Sequence, residues 1–312
     1  MKHENVVLFD KLGNPSIMVK YTPEAGKPVE PMFTIKGEEV EAIYISKYTN
    51  TMVNGLPCSL PFMKPVGGMN FNKASAACRA KGEGWHLMTN TEWEYLLAES
   101  RAAGTMPHGN TDCGKYYFDQ SEKGEVYDSC HTLPGTAPMT WSNTHAADGV
   151  FDLCGNFWEW VAGLRLKKGE IQYIENNDAA VEDLTPDSKA WKTVEAAGKT
   201  VKLSAEGAGV VVTTEEPEEN WDGCHFKDME IRLDEVPDIL HKLGIIPENQ
   251  KEEMAGIFVD SGEEETLPGR GSSFNGTSYG GPSSVGLNNP RSHVISSFGF
   301  RSAFFKRKTE NR

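Results

Sequence analysis

The chain has 312 residues, a formal net charge of −14 and 38% hydrophobic residues, so it is long enough to bury a substantial core. An acidic surface repels phosphates, so we expect neither a nucleic-acid partner nor an anionic membrane surface. No run approaches the roughly 20 apolar residues of a spanning helix, and the start lacks a basic region followed by an apolar one. The sequence therefore predicts no membrane insertion and no signal peptide.

The six cysteines form no Cys-x-x-Cys pair and no Cys/His spacing of the kind that binds zinc. Cysteine side chains are usually buried when they are not reactive. We therefore expect free, mostly buried thiols and a reducing compartment at these positions: Cys58, Cys78, Cys113, Cys130, Cys154 and Cys224.

The first half of the chain carries signals for strands and then for helices. Residues 5–22 predict a hairpin broken at Gly13-Asn14-Pro15, within an N-terminal extension over 1–39. Residues 40–48 predict a strand at the edge of the core sheet. Residues 70–82 and 89–97 each begin with a capping residue and have apolar residues at helical spacing, which predicts two helices. Residues 104–147 are typical of packed loops.

Residues 167–268 are acidic and lack a clear periodicity. Within them, residues 209–214 predict a strand and residues 236–243 predict a helix. We interpret this stretch as an insertion of modest structure within the fold rather than a separate domain.

Residues 269–305, which we call the C-terminal segment, contain no Lys, Glu, Gln, Met or Trp. Composition alone also fits a Gly/Ser-rich surface loop. However, the segment holds too many apolar side chains for a solvated linker, and residues 292–305 can alternate as strands. A face rich in Ser, Asn, Tyr and Gly is typical of a recognition surface.

Four stretches in order resemble landmarks of the formylglycine-generating-enzyme type of C-type lectin fold. They are residues 85–95, residues 155–161 (Gly-Asn-Phe-Trp-Glu-Trp-Val), residues 270–274 (Arg-Gly-Ser-Ser-Phe) and residues 299–301 (Gly-Phe-Arg). The resemblance implies an α+β fold with short twisted antiparallel sheets, two helices and extensive loops. It covers residues 40–305 and leaves 306–312 as a basic, polar tail.

That family includes cysteine-dependent oxidases, iron enzymes and non-catalytic binding proteins. The oxidases carry their copper-binding cysteines just before the final Gly-Phe-Arg, but this chain has no cysteine between Gly269 and Arg312. The iron enzymes need an additional histidine-bearing helical domain, for which the chain has no room. The sequence therefore predicts a protein that is not an enzyme.

Among the non-catalytic binding proteins of this family, the chain is similar to the variable proteins of diversity-generating retroelements, of the phage or prophage type. Residues 288–292 (Asn-Asn-Pro-Arg-Ser) and residues 299–304 carry this resemblance. It implies mutagenesis of adenines in codons that keep a final pyrimidine, which cannot encode the five missing residue types. The implied partner is a protein or glycan on a cell surface, and the implied location is a phage virion or tail, or the cytoplasm before assembly.

The resemblance divides the chain into replaceable contacts and a fixed framework. Twelve positions are predicted to be exposed and variable: Phe274, Asn275, Thr277, Ser278, Tyr279, Pro282, Ser283, Val285, His293, Val294, Ser296 and Ser297. The framework is predicted to consist of buried anchors and turn glycines: Trp93, Trp158, Trp160, Gly271, Gly299, Phe300 and Arg301. Among the variable positions, Phe274 and Tyr279 are the predicted energetic anchors because aromatic side chains bury a large area at low entropic cost.

The sequence also contains candidate metal-binding residues outside the C-terminal segment. Oxygen-bearing side chains near residue 155 are candidate calcium ligands or partners of Arg301: Asp148, Asp152, Asn156 and Glu159. The histidines of the loop-rich half, His86, His108, His131 and His145, have no i, i+4 pair and favour structural roles. No phosphate-binding loop or dinucleotide fingerprint is present, so the sequence predicts no nucleotide cofactor, and calcium is the one candidate cofactor. Two alternatives stay open: an oxidase relative with altered catalytic residues, and a virion component with a fixed surface.

Overall fold

A computed structural model describes residues 3–207, 209–218, 220–251 and 253–308. In chain order its first strands are β1 (Glu4–Phe9), β2 (Pro15–Tyr21), β3 (Thr34–Ile35), β4 (Glu38–Ser46), β5 (Thr51–Val53), β6 (Leu56–Cys58), β7 (Trp85–Leu87), β8 (Lys115–Tyr116), β9 (Asp119–Lys123), β10 (Trp158–Trp160), β11 (Leu164–Lys167) and β12 (Glu170–Tyr173). The remaining strands are β13 (Lys192–Thr193), β14 (Glu195–Ala196), β15 (Lys199–Thr200), β16 (Lys202–Glu206), β17 (Gly209–Thr213), β18 (Trp221–His225), β19 (Glu230–Ile231), β20 (Gly256–Asp260), β21 (Thr266–Arg270), β22 (Val285–Pro290), β23 (Phe298–Phe300) and β24 (Ser302–Arg307). The helices are α1 (Phe71–Arg79), α2 (Asn90–Ala103) and α3 (Asp238–Lys242). This content of strands with few helices fits an α+β, C-type-lectin-like fold.

The N-terminal hairpin is part of the first sheet. Strands β1 and β2 pair antiparallel, and the turn between them is held by the Asp10 carboxylate, which accepts backbone N–H groups of Leu12 and Asn14 at 2.9 and 3.0 Å. Strand β2 then pairs with β4. The sheet runs in the order β1-β2-β4-β24-β7, with β3 paired to β4.

The prediction that the strand near residues 40–48 forms a sheet edge is wrong. Strand β4 lies between β2 and β24, and Ile45 is paired with both Val19 and Ala303. The apolar residues of β4 indicated burial, but the sequence did not indicate that the far C-terminus returns to pair with this strand. Residues 309–312 of the predicted tail lie outside the described residues.

Both predicted helices are confirmed, and each begins at its predicted cap. The Asn70 side chain accepts the Lys73 backbone N–H at 3.0 Å, and Thr89 and Glu92 form a reciprocal capping box at the start of α2. Helix α2 continues six residues beyond the predicted end, to a left-handed Gly104. None of the helices in the described ranges is long and apolar enough to cross a membrane.

The second sheet has twelve strands, and residues 167–268 supply many of them. Its main path is β18-β20-β22-β21-β11-β12-β16-β17-β19, with β10, β13 and β23 attached at the side. The predicted strand at 209–214 and the predicted helix at 236–243 are both present as β17 and α3. The expectation of modest structure is wrong, because these residues build a hydrophobic core with side chains such as Leu203, Val212, Phe226 and Leu240.

Strand β20 joins these residues to the C-terminal segment. It pairs in parallel with β22, with Ile257 opposite Val285 and Val259 opposite Leu287. On its other edge β20 pairs antiparallel with β18. The acidic stretch is therefore continuous with the sheet that carries the C-terminal segment.

Residues 104–147 are mainly irregular, as the sequence indicated, apart from the short β8–β9 pair and a one-turn 3-10 helix at Met139–Trp141. The expectation of six free thiols is wrong for this region, because Cys113 and Cys130 form a disulfide. Their spacing matches no motif, and only the folded loop brings the two residues together. The other four cysteines are free and buried.

Candidate binding groove

The C-terminal segment is ordered and divides into buried strands and more open loops. Strands β21, β22 and β23 are buried over most of their length. Between them run two loops, residues 271–284 and 291–297, which contain most of the segment's exposed side chains. Buried strands therefore flank both loops.

Arg301, directly after β23, ties this sheet to the rest of the fold. Its guanidinium donates to both Glu159 carboxylate oxygens, from Nε at 2.7 Å and from Nη2 at 2.5 Å. It also donates to the carbonyls of Ser46 and Phe151 at 3.1 Å. Arg301 and Glu159 are 0% and 1% exposed, so this is a buried pair whose charges are satisfied by the protein itself.

Helix α2 is fixed to the loop that follows β21. The indole Nε1 of Trp93, a fully buried side chain, donates to the Pro282 carbonyl at 2.9 Å. Gly271 has a φ of +85°, and a Cβ there would lie 2.7 Å from the Leu153 carbonyl oxygen. Only glycine fits this position without strain.

The other framework positions differ in burial. Trp160 and Phe300 are fully buried as predicted. The prediction of a buried anchor is wrong for Trp158, which is only half-buried because it faces the groove described below. A Cβ on Gly299 would lie 3.3 Å from the Val66 carbonyl oxygen, so a side chain there would crowd the backbone.

Three of the twelve positions predicted to be exposed are buried, and the expectation is wrong for them. Ser283 is 2% exposed because its hydroxyl bonds with Arg101 and Glu253. Val285 is fully buried as the first residue of β22, and Pro282 is buried over Trp93. The other nine are half-buried or exposed: Phe274, Asn275, Thr277, Ser278, Tyr279, His293, Val294, Ser296 and Ser297.

Phe274 contacts other residues of the chain instead of facing open solvent. Its ring packs against His131 at a centroid distance of 4.4 Å, and its carbonyl accepts the Cys113 N–H at 2.8 Å. It therefore does not lie in the groove that the other aromatic anchor, Tyr279, lines.

The two loops enclose a groove of about 450 Å³, which we call the segment groove. Its walls come from three parts of the chain: the C-terminal segment, β10 and the acidic stretch. Its lining comprises Trp158, Trp221, Phe258, Ser272, Ser273, Asn275, Gly276, Thr277, Tyr279, Asn288, Asn289, His293, Ile295, Ser297 and Phe298. Five of these belong to the predicted variable set, so those positions do converge on one concave surface.

Aromatic rings form one continuous chain of contacts along the groove. Tyr279 stacks on His225 at 4.0 Å between centroids and contacts Phe258 at 5.8 Å. Phe258 meets Trp158 edge-on at 5.9 Å, and Trp158 stacks with Phe298 at 6.2 Å. The aromatic side of the groove is therefore built from rings that pack on one another.

Sequence reasoning missed Trp221, His225 and Phe258. All three lie in the acidic stretch, on β18 and β20, which pair directly with each other and, through β20, with β22. Isolated aromatic residues in a polar stretch are a signal for packed structure, but a parallel pairing between distant strands has no local signature.

The four candidate calcium ligands do not form one ligand set. Glu159 is paired with Arg301, the Asn156 side-chain oxygen accepts from Asn110 and Thr132, and Asp148 accepts from Thr144. Within the described ranges, no group of three or more His, Cys, Asp or Glu side chains is arranged to hold a metal. The donors therefore do not fit a calcium ion, and we assign them to the framework.

Asp152 differs from the other three acids. Its Oδ2 is buried and has no hydrogen-bond partner in the described part of the chain. Burial raises the pKa of this carboxyl to about 7; the nearby Arg301 opposes the shift and Glu159 adds to it. A protonated Asp152 is thus favoured by its surroundings at mildly acidic pH.

Each of the four histidines in the loop-rich half contacts a protein partner. His86 lies 2.8 Å from Glu92, His108 3.0 Å from Glu122 and His131 2.8 Å from Asp128. His145 lies 3.0 Å from the Met106 carbonyl. These contacts favour structural roles.

The free thiols are unsuited to nucleophilic chemistry. Cys58, Cys78, Cys154 and Cys224 are buried, and burial raises the pKa of each thiol above its ordinary value. A nucleophilic cysteine requires the thiolate, which these surroundings disfavour.

Comparison with known proteins agrees with this fold. Residues 50–200 match the family described as the sulfatase-modifying factor enzyme 1-like domain. Among curated proteins, the chain is similar to the inactive C-alpha-formylglycine-generating enzyme 2 of Mus musculus, with 30% identity over 34% of each chain. The Bos taurus protein of the same name is 31% identical over 31% of this chain and 32% of its own.

The matched part spans about a third of the length of these relatives. Residues 50–200 are thus similar to the sulfatase-modifying factor enzyme 1-like domain, and the similarity to proteins named inactive is compatible with a non-catalytic role. Of the residues lining the segment groove, only Trp158 falls within residues 50–200.

Proposed function

We propose that this chain is a non-catalytic binding protein that recognises a protein or glycan on a cell surface through the segment groove. One observation carries the proposal: predicted variable positions with accessible side chains line the same groove as a chain of aromatic rings. Grooves of about 300–1,000 Å³ with aromatic walls and a few polar groups are the usual form of ligand sites.

The lack of a cysteine nucleophile at the groove supports binding over the oxidase alternative. The sequence has no cysteine between Gly269 and Arg312, and the groove lining offers hydroxyl, amide and imidazole groups instead. Oxygen consumption with a cysteine-containing peptide tests the oxidase alternative. We expect no turnover, and oxidation of the peptide would contradict the proposal.

We further propose that a retroelement of a phage or prophage diversifies this surface. The support is the missing set of five residue types in residues 269–305, together with the accessible positions in the two loops. Because exposed substitutions usually change the free energy of unfolding by less than about 0.5 kcal/mol, many surfaces can share one scaffold.

Sequencing the DNA around the gene and its copies in sister isolates tests diversification. The proposal expects a near-copy of the codons for 269–305 beside a reverse transcriptase gene, with differences at adenines. The differing codons should fall at accessible positions such as Asn275, His293 and Ser296, and not at Val285. Identical copies in all isolates, without a second copy of the segment, would favour a virion component with a fixed surface.

A further inference from the structure

We propose that the segment groove binds an uncharged carbohydrate, with the Trp221 indole as the platform for a sugar ring. This inference rests on the proposed binding function and names its ligand class. It also gives residues 167–268 a role, because Trp221 and Phe258 form one wall of the groove.

The first observation is the charge of the groove. The chain has a formal net charge of −14, yet none of the described residues lining the groove is Lys, Arg, Asp or Glu. A charged ligand loses hydration on entering a groove and requires an opposite charge to compensate. This groove supplies none, so it favours a ligand without formal charge.

The imidazole of His293 does not change this conclusion. Partial burial lowers its pKa below the ordinary value, so the ring is neutral at pH 7. A neutral imidazole both donates and accepts a hydrogen bond, which suits a hydroxyl group.

The second observation is the exposed indole. Trp221 is 56% exposed, whereas the other tryptophan of the groove, Trp158, packs between Phe258 and Phe298. A sugar ring presents C–H groups on one face and hydroxyls around its edge. An accessible flat aromatic surface matches that face. Covering such an exposed apolar surface with a ligand is energetically favourable.

The third observation is the set of amide groups with spare hydrogen-bonding capacity. Asn275 accepts from Ser273 and Asn288 accepts from Asn289, each through its Oδ1. Within the described part of the chain, their Nδ2 groups and the Asn289 Oδ1 make no hydrogen bond. Donors and acceptors at the edge of an aromatic platform are the complement of a sugar's hydroxyls.

The test uses an array of oligosaccharides built from neutral hexoses and N-acetylhexosamines, with sialylated and sulfated versions of the same chains. The best-bound oligosaccharide is then titrated calorimetrically into the wild-type chain and into the Trp221→Ala and Phe9→Ala variants. Phe9 is a matched control, since it is 65% exposed and lies on β1, outside the groove.

We expect binding to uncharged oligosaccharides, little dependence on salt, and at least a tenfold weaker affinity for Trp221→Ala with an unchanged melting temperature. Phe9→Ala should bind as the wild type does. Binding confined to the charged chains, no binding to the array, or equal affinity for Trp221→Ala would each overturn the carbohydrate inference.

A random peptide library panned on the same protein distinguishes a failure of the carbohydrate inference from a failure of the proposed binding function. Peptides whose binding is lost in Trp221→Ala would keep the proposed binding function and overturn only the carbohydrate inference. Failure of both the array and the library to bind would overturn both.

Discussion

Replacing Arg301 by alanine is expected to lower the free energy of unfolding by about 3–5 kcal/mol, because it leaves the Glu159 carboxylate buried without its counter-charge. The same change removes the donors to the carbonyls of Ser46, Phe151 and Asp152. These groups belong to the first sheet and to the loop before β10, so the loss should loosen the contact between both sheets. Urea unfolding followed by circular dichroism measures the effect.

Arg307→Ala is the matched control for Arg301→Ala. Arg307 pairs with Glu38 at 3.1 Å, but the two side chains are 50% and 75% exposed. Exposed pairs contribute about 0–1 kcal/mol, so this variant should unfold close to the wild type. If the two variants lose the same stability, Arg301 does not have the framework role that we assign to it.

Replacing Asp152 by asparagine is expected to stabilise the protein at pH 8, with an upper limit of about 4 kcal/mol from the shift to a pKa of about 7. At that pH the wild-type carboxyl is ionised in a buried place where its Oδ2 has no partner among the described residues. The asparagine amide carries no charge. Asparagine also tolerates the left-handed backbone at this position, where φ is +61°.

The contribution of Asp152 to the free energy of unfolding falls as the pH rises. The folded pKa of Asp152 lies above its unfolded value of 3.8, so between these values the folded chain binds the additional proton. The stabilisation due to this group is complete below pH 3.8 and is lost as the pH rises through about 7. The difference in melting temperature between Asp152→Asn and wild type should therefore grow from pH 5 to pH 8.

Asp187→Asn, at an exposed position, is the control for Asp152→Asn and should show no such growth. A constant difference between Asp152→Asn and wild type across this range would show that the Asp152 carboxyl titrates as it does in water.

Local features of the fold could be read from the sequence because each has a local physical cause. The caps Asn70 and Thr89 and the turn at Gly13-Asn14 each act on backbone groups within a few residues. The framework role of Arg301 came from the family resemblance, and the structure shows that Glu159, one of its candidate partners in the sequence, forms the buried pair.

Non-local features could not be read in this way. The burial of Ser283 depends on Arg101 and Glu253, which are far away in the sequence, and the interior position of β4 depends on the last strand. The wall formed by Trp221 and Phe258 requires the parallel pairing of β20 with β22. Sequence patterns report which residues prefer burial, but not which distant segment buries them.

We propose that the C-terminal segment separates recognition from folding, and a saturation substitution scan of residues 269–305 is the test. Displayed variants are sorted by resistance to protease, which reports folding without any ligand. We expect the exposed positions Asn275, Val294 and Ser296 to accept nearly every residue, whereas the buried positions Pro282, Ser283 and Val285 should accept few. Equal sensitivity at the two groups of positions would contradict this proposal.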